Sequence, residues 1–415
     1  MTRTSLRELI YMNSYWVGLS FMWNGLHQLI LPAVLLHLVP ETQKNTYLGL
    51  LTFIGLVIAT IMQPISGALS DRWHSKWGRR RPLILIGTAF DYIFLALLGW
   101  AGGLGWLTLG YLGLQLSSNL AHGPLQGLLP DRVPKDQLGQ ASGLKNLMDM
   151  SGLVIASLVI GRLLSLDESQ PVTTIALIGL VLGICALVTL LGVREHPSTI
   201  RSTEIVATPQ SSPEPINPKE KRRYAWLIAS RFAFLIGVYD IQAFAQYYVR
   251  DVLSPPNPVK LTGDLMAVIA LSLIAFAVIG GWLGDRVGHK RVLILASAIG
   301  ALGCVLLLWA RTPMTLLAFG SVLGAGTGLF ITTNWALANA LAPVAKAGQF
   351  LGLTNLATAG AGALGRLAGP LIDFFNNSQP GANLGYTMLF VWGALCLLLS
   401  AWLLRWVPLA HSLEK

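Results

Sequence analysis

Four polar side chains share one face of an otherwise apolar run. Gln115, Asn119, His122 and Gln126 follow one another at helical steps. Amides and imidazoles both donate and accept hydrogen bonds, so such a face suits the hydroxyls of a neutral polyol or sugar. The competing reading is hydrogen-bonding glue between helices. A second face of this kind, Asn24, His27 and Gln28, lies near the start of the chain with Trp16 and Trp23 close by. In the second half Tyr239, Gln242 and Gln246 make a stripe with Asp240 beside it, and Asn334 precedes Trp335 in a later run. All eleven polar positions (Asn24 to Asn334) are therefore candidate solute ligands. Asp240 and Asp91 are the carboxylates set deepest in apolar sequence, and each could take up and release a proton, Asp240 being the first candidate. The rival reading pairs each with an intramembrane arginine, such as Arg231 for Asp240. Lys145 and Asp149 have the spacing of a local ion pair on a helix. Arg366 lies among Gly360, Gly362, Gly365 and Gly369, and its partner is open.

These residues must be held by membrane-spanning helices. The 415 residues are 53% hydrophobic and 12% charged, with a mean hydropathy of +0.60, too little charge to cover a soluble surface. Apolar runs of roughly 20 residues recur throughout. Hydropathy and turn signals place spans near 11–37, 46–70, 82–101, 105–130, 139–165 and 172–193, then near 224–250, 261–284, 291–310, 314–340, 348–374 and 384–407. The predicted fold is therefore an all-α membrane protein with twelve transmembrane helices. Residues 194–223 carry five prolines among Ser, Thr, Glu and Lys and read as a flexible linker, giving units 1–193 and 224–415. The first run is a retained span rather than a cleaved leader.

The net charge of +10 sits between the apolar runs rather than along a soluble face, which speaks against nucleic acid. Most Lys and Arg fall in the termini, the central linker and the loops on one side, which puts both termini in the cytoplasm of a plasma (inner) membrane protein. Cys185, Cys304 and Cys396 lie inside apolar runs, so neither disulfides nor a metal site is indicated. No phosphate-binding Gly-rich Lys loop, metal-ligand His spacing or nucleophile elbow is present. An enzyme is not expected, and no cofactor is.

One loop organises the chain. Gly67-Ala-Leu-Ser-Asp71-Arg72 leads through Gly78 to Arg79-Arg80-Arg81, and it returns shortened as Gly281-Trp-Leu-Gly-Asp285-Arg286, then Gly288, Lys290 and Arg291. Gly139-Gln140 through Leu147 repeats likewise as Gly348-Gln349 through Leu356. The offset between copies is nearly constant once the longer first loop is allowed for, so the halves are parallel repeats.

This pattern resembles the major facilitator superfamily, with the longer copy between helices 2 and 3 and its echo between helices 8 and 9. The run Ser70-Asp71-Arg72 to Gly78-Arg79-Arg80-Arg81-Pro82 looks most like the sucrose/proton symporters and related glycoside transporters of that superfamily. The resemblance implies two pseudo-symmetric six-helix bundles whose first, fourth, seventh and tenth helices line a cavity. It also implies that Asp71 docks at the start of helix 11 and Asp285 at the start of helix 5. Gly67 and Gly281 would then permit close approach. Asp71, Arg72, Gly78, Arg79, Arg80, Asp285, Arg286, Gly288, Lys290 and Arg291 complete that expected conformational latch. Aligned on Gly123-Pro124, the chain keeps Asn119 of the symporters' fourth helix, but has Gln115 where they carry Asp and Gln126 where they carry Arg.

The expectation is a secondary transporter of a small sugar- or glycoside-like solute working by alternating access as a monomer in the lipid bilayer. Proton symport is one mode and facilitated diffusion its rival. Efflux of amphipathic drugs or metabolites is the alternative. A third reading is a non-transporting helper of the same fold that handles pigment or assembles membrane complexes.

Overall fold

The computed structural model describes residues 3–100, 102–166, 171–193, 195, 218–343 and 346–407. Twelve long helices run through them. In the first half they are α1 (Leu6–Leu38), α2 (Lys44–Arg72), α3 (Arg81–Gly99), α4 (Leu104–Arg132), α5 (Leu138–Leu164) and α6 (Val172–Gly192). The second half holds α7 (Pro218–Tyr248), α8 (Pro258–Val287), α9 (His289–Leu307), α10 (Pro313–Leu341), α11 (Ala347–Gly365 and Ala368–Ser378) and α12 (Leu384–Leu403).

Ten of these are long and apolar enough to cross a membrane on length and composition alone. The other two are α4, diluted by its polar face, and α11. The first piece of α11 is rich in glycine and carries Gln349 and Asn355, and the helix breaks at Arg366–Leu367. The sequence reading ran α11 unbroken from 348 to 374.

The two halves pack alike. In the first, α1 lies against α5 and α6, and α3 against α4 and α6. In the second, α7 lies against α11 and α12, and α9 against α10 and α12. Each contact has its counterpart six helices later, as a tandem repeat requires.

The chain separates into two compact units, but not at the expected boundary alone. One unit is Met1–Pro40 with Leu51–Val206; the other is Glu41–Leu50 with Ala207–Lys415. The first turns of α2 thus belong with the second half. Gly49 and Gly369 show why this packing holds. A Cβ on Gly49 would come 2.3 Å from the Arg366 carbonyl oxygen, and one on Gly369 would come 2.2 Å from that of Asn45. Only glycine permits backbones this close. The stretch read as a linker is also shorter than expected, because α7 begins at Pro218. Residues 196–217 lie outside the described residues.

Two helices contain a wide turn. In α1, residues Leu26–Ile30 wind with the Leu31 amide donating to the Leu26 carbonyl, and α7 ends likewise over Val249–Leu253. Such π-turns are frequent at functional sites. The first carries His27 and Gln28.

Candidate substrate-binding and coupling sites

In the first unit the predicted polar faces of α1 and α4 meet in one hydrogen-bonded chain. The Tyr111 hydroxyl lies 2.9 Å from His27 Nε2 and accepts from Gln115 Nε2 at 2.8 Å. Asn119 Nδ2 donates to Gln115 Oε1 at 3.2 Å, and Asn119 Oδ1 accepts from Gln63 Nε2 of α2 at 2.9 Å. Gln126, exposed at the end of the face, reaches Gln63 Oε1 at 3.4 Å. Beside this chain Gln28 donates to Asn24, while Trp23 stacks on His27 with ring centroids 5.1 Å apart. The residues so joined include no Asp, Glu, Lys or Arg. Tyr111, Gln115 and Asn119 are buried and His27 and Gln28 half-buried, and their amide, hydroxyl and imidazole groups have the chemistry that matches a hydroxylated neutral ligand.

Tyr111 and Gln63 were not among the sequence-derived candidates. Tyr111 could have been found, because it lies one helical turn before Gln115 on the same face. Gln63 sits alone in an apolar helix, and nothing in its local sequence marks it. His122 stands apart from the chain, edge-on to Trp16 at 5.0 Å between centroids. Lys145 covers that indole at 3.9 Å, a cation–π contact made in addition to its electrostatic interaction with Asp149 on the same helix.

In the second unit the stripe on α7 is joined by a cation. Arg231 Nη1 donates to Asn334 Oδ1 at 2.7 Å, its Nε donates to Thr358 at 3.0 Å, and its guanidinium lies 5.7 Å from the Trp335 ring centre. Arg231 is therefore not the partner of Asp240, as the rival reading had it. Arg366 and the Trp392 indole face Asp240 instead. The break in α11 places Arg366 there, which no spacing rule could foresee. Tyr239 and Gln242 are half-buried and Gln246 is buried on the same helix. An apolar groove of about 430 Å³ between α7, α11 and α12 also opens on Asp240, walled by Leu364, Leu371, Met388 and Trp392.

Asp91 is fully buried where α3 crosses α4, and accepts from the Ser117 hydroxyl at 2.5 Å. Its Oδ2 has no hydrogen-bond partner among the described residues. Ser117 lies off the face that carries Gln115 and Asn119, so Asp91 is set apart from the amide chain.

The organising loop folds as a charge cluster. Asp71 Oδ1 is 2.6 Å from Arg80 Nη2 and 4.0 Å from Arg79 Nη1. Asp131 accepts from Arg79 at 2.5 Å and from Arg80 Nε at 2.9 Å. Glu195 accepts the backbone N–H groups of Arg79, Arg80 and Arg81 at 2.8, 3.0 and 2.9 Å. It thus neutralises the free donors at the start of α3. Glu195 fell in the presumed linker and escaped the sequence reading. Gly78 takes a φ of +96° and Gly288 one of +98°, so both loops turn where glycine is needed.

The second copy is barer. Asp285 is exposed, with His289 Nε2 3.9 Å away, Arg286 lies over Trp282 at 4.2 Å, and Lys290 Nζ reaches the Val407 carbonyl. Close helix approach is seen beside Gly67, though not through its own Cβ position: a Cβ on Gly123 of α4 would lie 2.8 Å from the Gly67 amide nitrogen. A Cβ on Gly67 would meet nothing within 4 Å, and one on Gly281 only the Thr332 methyl at 3.6 Å.

A family model described as MFS/sugar transport protein matches residues 20–411. The chain belongs to this family. As a member of it, the protein is a membrane transporter of the major facilitator type. It is 24% identical over 373 residues to the multi-drug resistance efflux pump PmrA of Streptococcus pneumoniae serotype 4 (strain ATCC BAA-334 / TIGR4), covering 87% of this chain and 86% of the relative. It is likewise 24% identical over 396 residues to the multidrug resistance protein MdtG of Enterobacter lignolyticus (strain SCF1), covering 93% and 89%. Among solved structures, a D-xylose-proton symporter superposes with a TM-score of 0.76 at 15% identity, covering 97% of this chain and 98% of that one. That likeness carries the fold alone.

Proposed function

We propose that this family member carries a small, uncharged, hydroxylated solute of sugar or glycoside type across the plasma membrane by alternating access. In this reading it works as a monomer with both termini cytoplasmic. The supporting observation is the uncharged chain His27–Tyr111–Gln115–Asn119–Gln63, flanked by Trp23. Tyr111, Gln115, Asn119 and Gln63 satisfy one another, and a polyol can exchange into such a chain hydroxyl for amide, whereas an apolar cargo that pulls it apart leaves its members unpaired. Tyr239, Gln242, Gln246 and Asn334 serve the same solute from the second unit. Asp240 and Asp91 are the groups through which proton movement would be coupled. Asp71 and Asp285 act as clasp carboxylates that engage the starts of α11 and α5 while the cavity faces outward and release when it opens inward, with Arg79 and Arg80 as the alternative partners of Asp71.

The test is solute flux in proteoliposomes across a panel of neutral sugars and glycosides, with and without an inward proton gradient. Saturable uptake that weakens in Gln115→Ala is expected. Absence of flux for every hydroxylated solute overturns the reading.

A second reading, efflux of amphipathic compounds, is favoured by the efflux and multidrug-resistance relatives and by the apolar groove that opens on Asp240. Growth of an expressing strain on toxic lipophilic cations separates the two. Resistance that depends on Asp240 supports efflux.

A further inference from the structure

A second groove in the second unit is built unlike either solute site. It encloses about 910 Å³ between α7, α11 and α12. Its walls are apolar, formed by Ile228, Phe232, Leu356 and Leu399 among others, and two lysines, Lys221 and Lys346, border it at one end. Lys221 is exposed and Lys346 half-buried, and among the described residues no carboxylate pairs with either. Lys346 is also the residue before the first turn of α11, where free N–H groups and the helix dipole favour an anion.

Two further observations set the depth of that end. Trp226 stacks on Trp406 at 4.5 Å, and Arg405 lies over both Trp402 and Trp406 at 4.0 and 3.9 Å. Tryptophan and arginine gathered at the ends of α7 and α12 mark the level of lipid head groups. From Lys221 to Ala233 the groove follows α7 for about 18 Å at the helical rise, close to one leaflet of a hydrocarbon core roughly 30 Å thick.

The geometry points to a binding site for an anionic phospholipid. The phosphate lies between Lys221 and Lys346, and one acyl chain runs along Phe232, Leu356 and Gly360. Charge and length both select this occupant. A zwitterionic lipid brings a choline or ethanolamine cation to the lysines, and a transported solute the size of a sugar fills only the mouth.

The test is native mass spectrometry of the full chain in detergent with phosphatidylglycerol or phosphatidylcholine added. At about a fivefold gain for each juxtamembrane cation, phosphatidylglycerol should be retained about thirty-fold better. Lys221→Ala with Lys346→Ala should reduce that preference to within threefold, while Lys260→Ala leaves it unchanged. A Cβ at Gly360 has only ordinary contact, 3.7 Å from Phe232, so Gly360→Leu should fold and fill the groove. It should lose retention of the lipid with both lysines in place. Equal retention of the two lipids, or a preference that survives the double substitution, overturns the assignment. So does full retention in Gly360→Leu.

Discussion

Asp373 offers the most direct test of how the first turns of α2 are held. Its carboxylate is buried and faces four donors at the start of that helix. Oδ1 accepts from the Asn45 side chain at 2.8 Å and, more distantly, from its amide at 3.4 Å. Oδ2 accepts from both the amide and the hydroxyl of Thr46 at 2.7 Å. A carboxylate on the free N–H groups of a helix start is stabilised by hydrogen bonds and by the dipole together. Bonds to a charged group contribute about 1.5–3 kcal/mol each, but those sharing one carboxylate are not additive. About 3 kcal/mol is a fair total for Asp373→Ala, or roughly a 150-fold easier opening of that turn. Hydrogen exchange of the 41–50 peptide reads this directly. Protection there should fall by about two orders of magnitude, with α3 and α9 unchanged. Asp373→Asn keeps one acceptor oxygen and should fall between. Unchanged exchange in Asp373→Ala would show that the other contacts of this segment, the backbone packing at Gly49 and Gly369 and the ion pairs Lys44–Asp251 and Glu41–Arg250, hold the turn. The Asp373 contacts would then be geometry without energetic weight.

Other consequences are equally open to measurement. Gln115→Ala or Asn119→Ala should raise the half-saturating solute concentration about three- to tenfold, the worth of one net hydrogen bond, and should also lower the melting temperature, because both side chains are buried and leave hydrogen-bonded neighbours unpaired. Arg366→Ala removes the cation that faces Asp240 and should lower the melting temperature in detergent, with Asp240→Asn added in the same chain restoring part of it. Asp240→Asn alone should abolish uphill uptake under a proton gradient while sparing downhill exchange; intact uphill uptake removes Asp240 from coupling. Asp71→Asn should lower the transport rate more than solute binding, and unchanged transport would remove the clasp from the proposal.

The apolar period and the recurring Gly-x-Leu-x-Asp-Arg signal were enough to establish helices, repeat and family, because each depends on spacing within a short window. The amide face of α4 was legible for the same reason: Gln115 and Asn119 lie one turn apart, and every straight helix presents them together. What joined that face to Tyr111, His27 and Gln63 was helix packing, which local sequence does not encode. The same limit explains Asp240. Its nearest cation in sequence on the same helix is Arg231, yet a break in α11 brings Arg366 to it and leaves Arg231 to Asn334. Glu195 and Asp373 were overlooked because a lone carboxylate has no period. Each gains its role only when folding delivers the start of another helix, with its unpaired N–H groups, to within hydrogen-bonding distance. Sequence thus determined what each helix could offer; tertiary structure decided which offers met, since hydrogen bonds and ion pairs act over a few ångströms and the chain covers far more between partners.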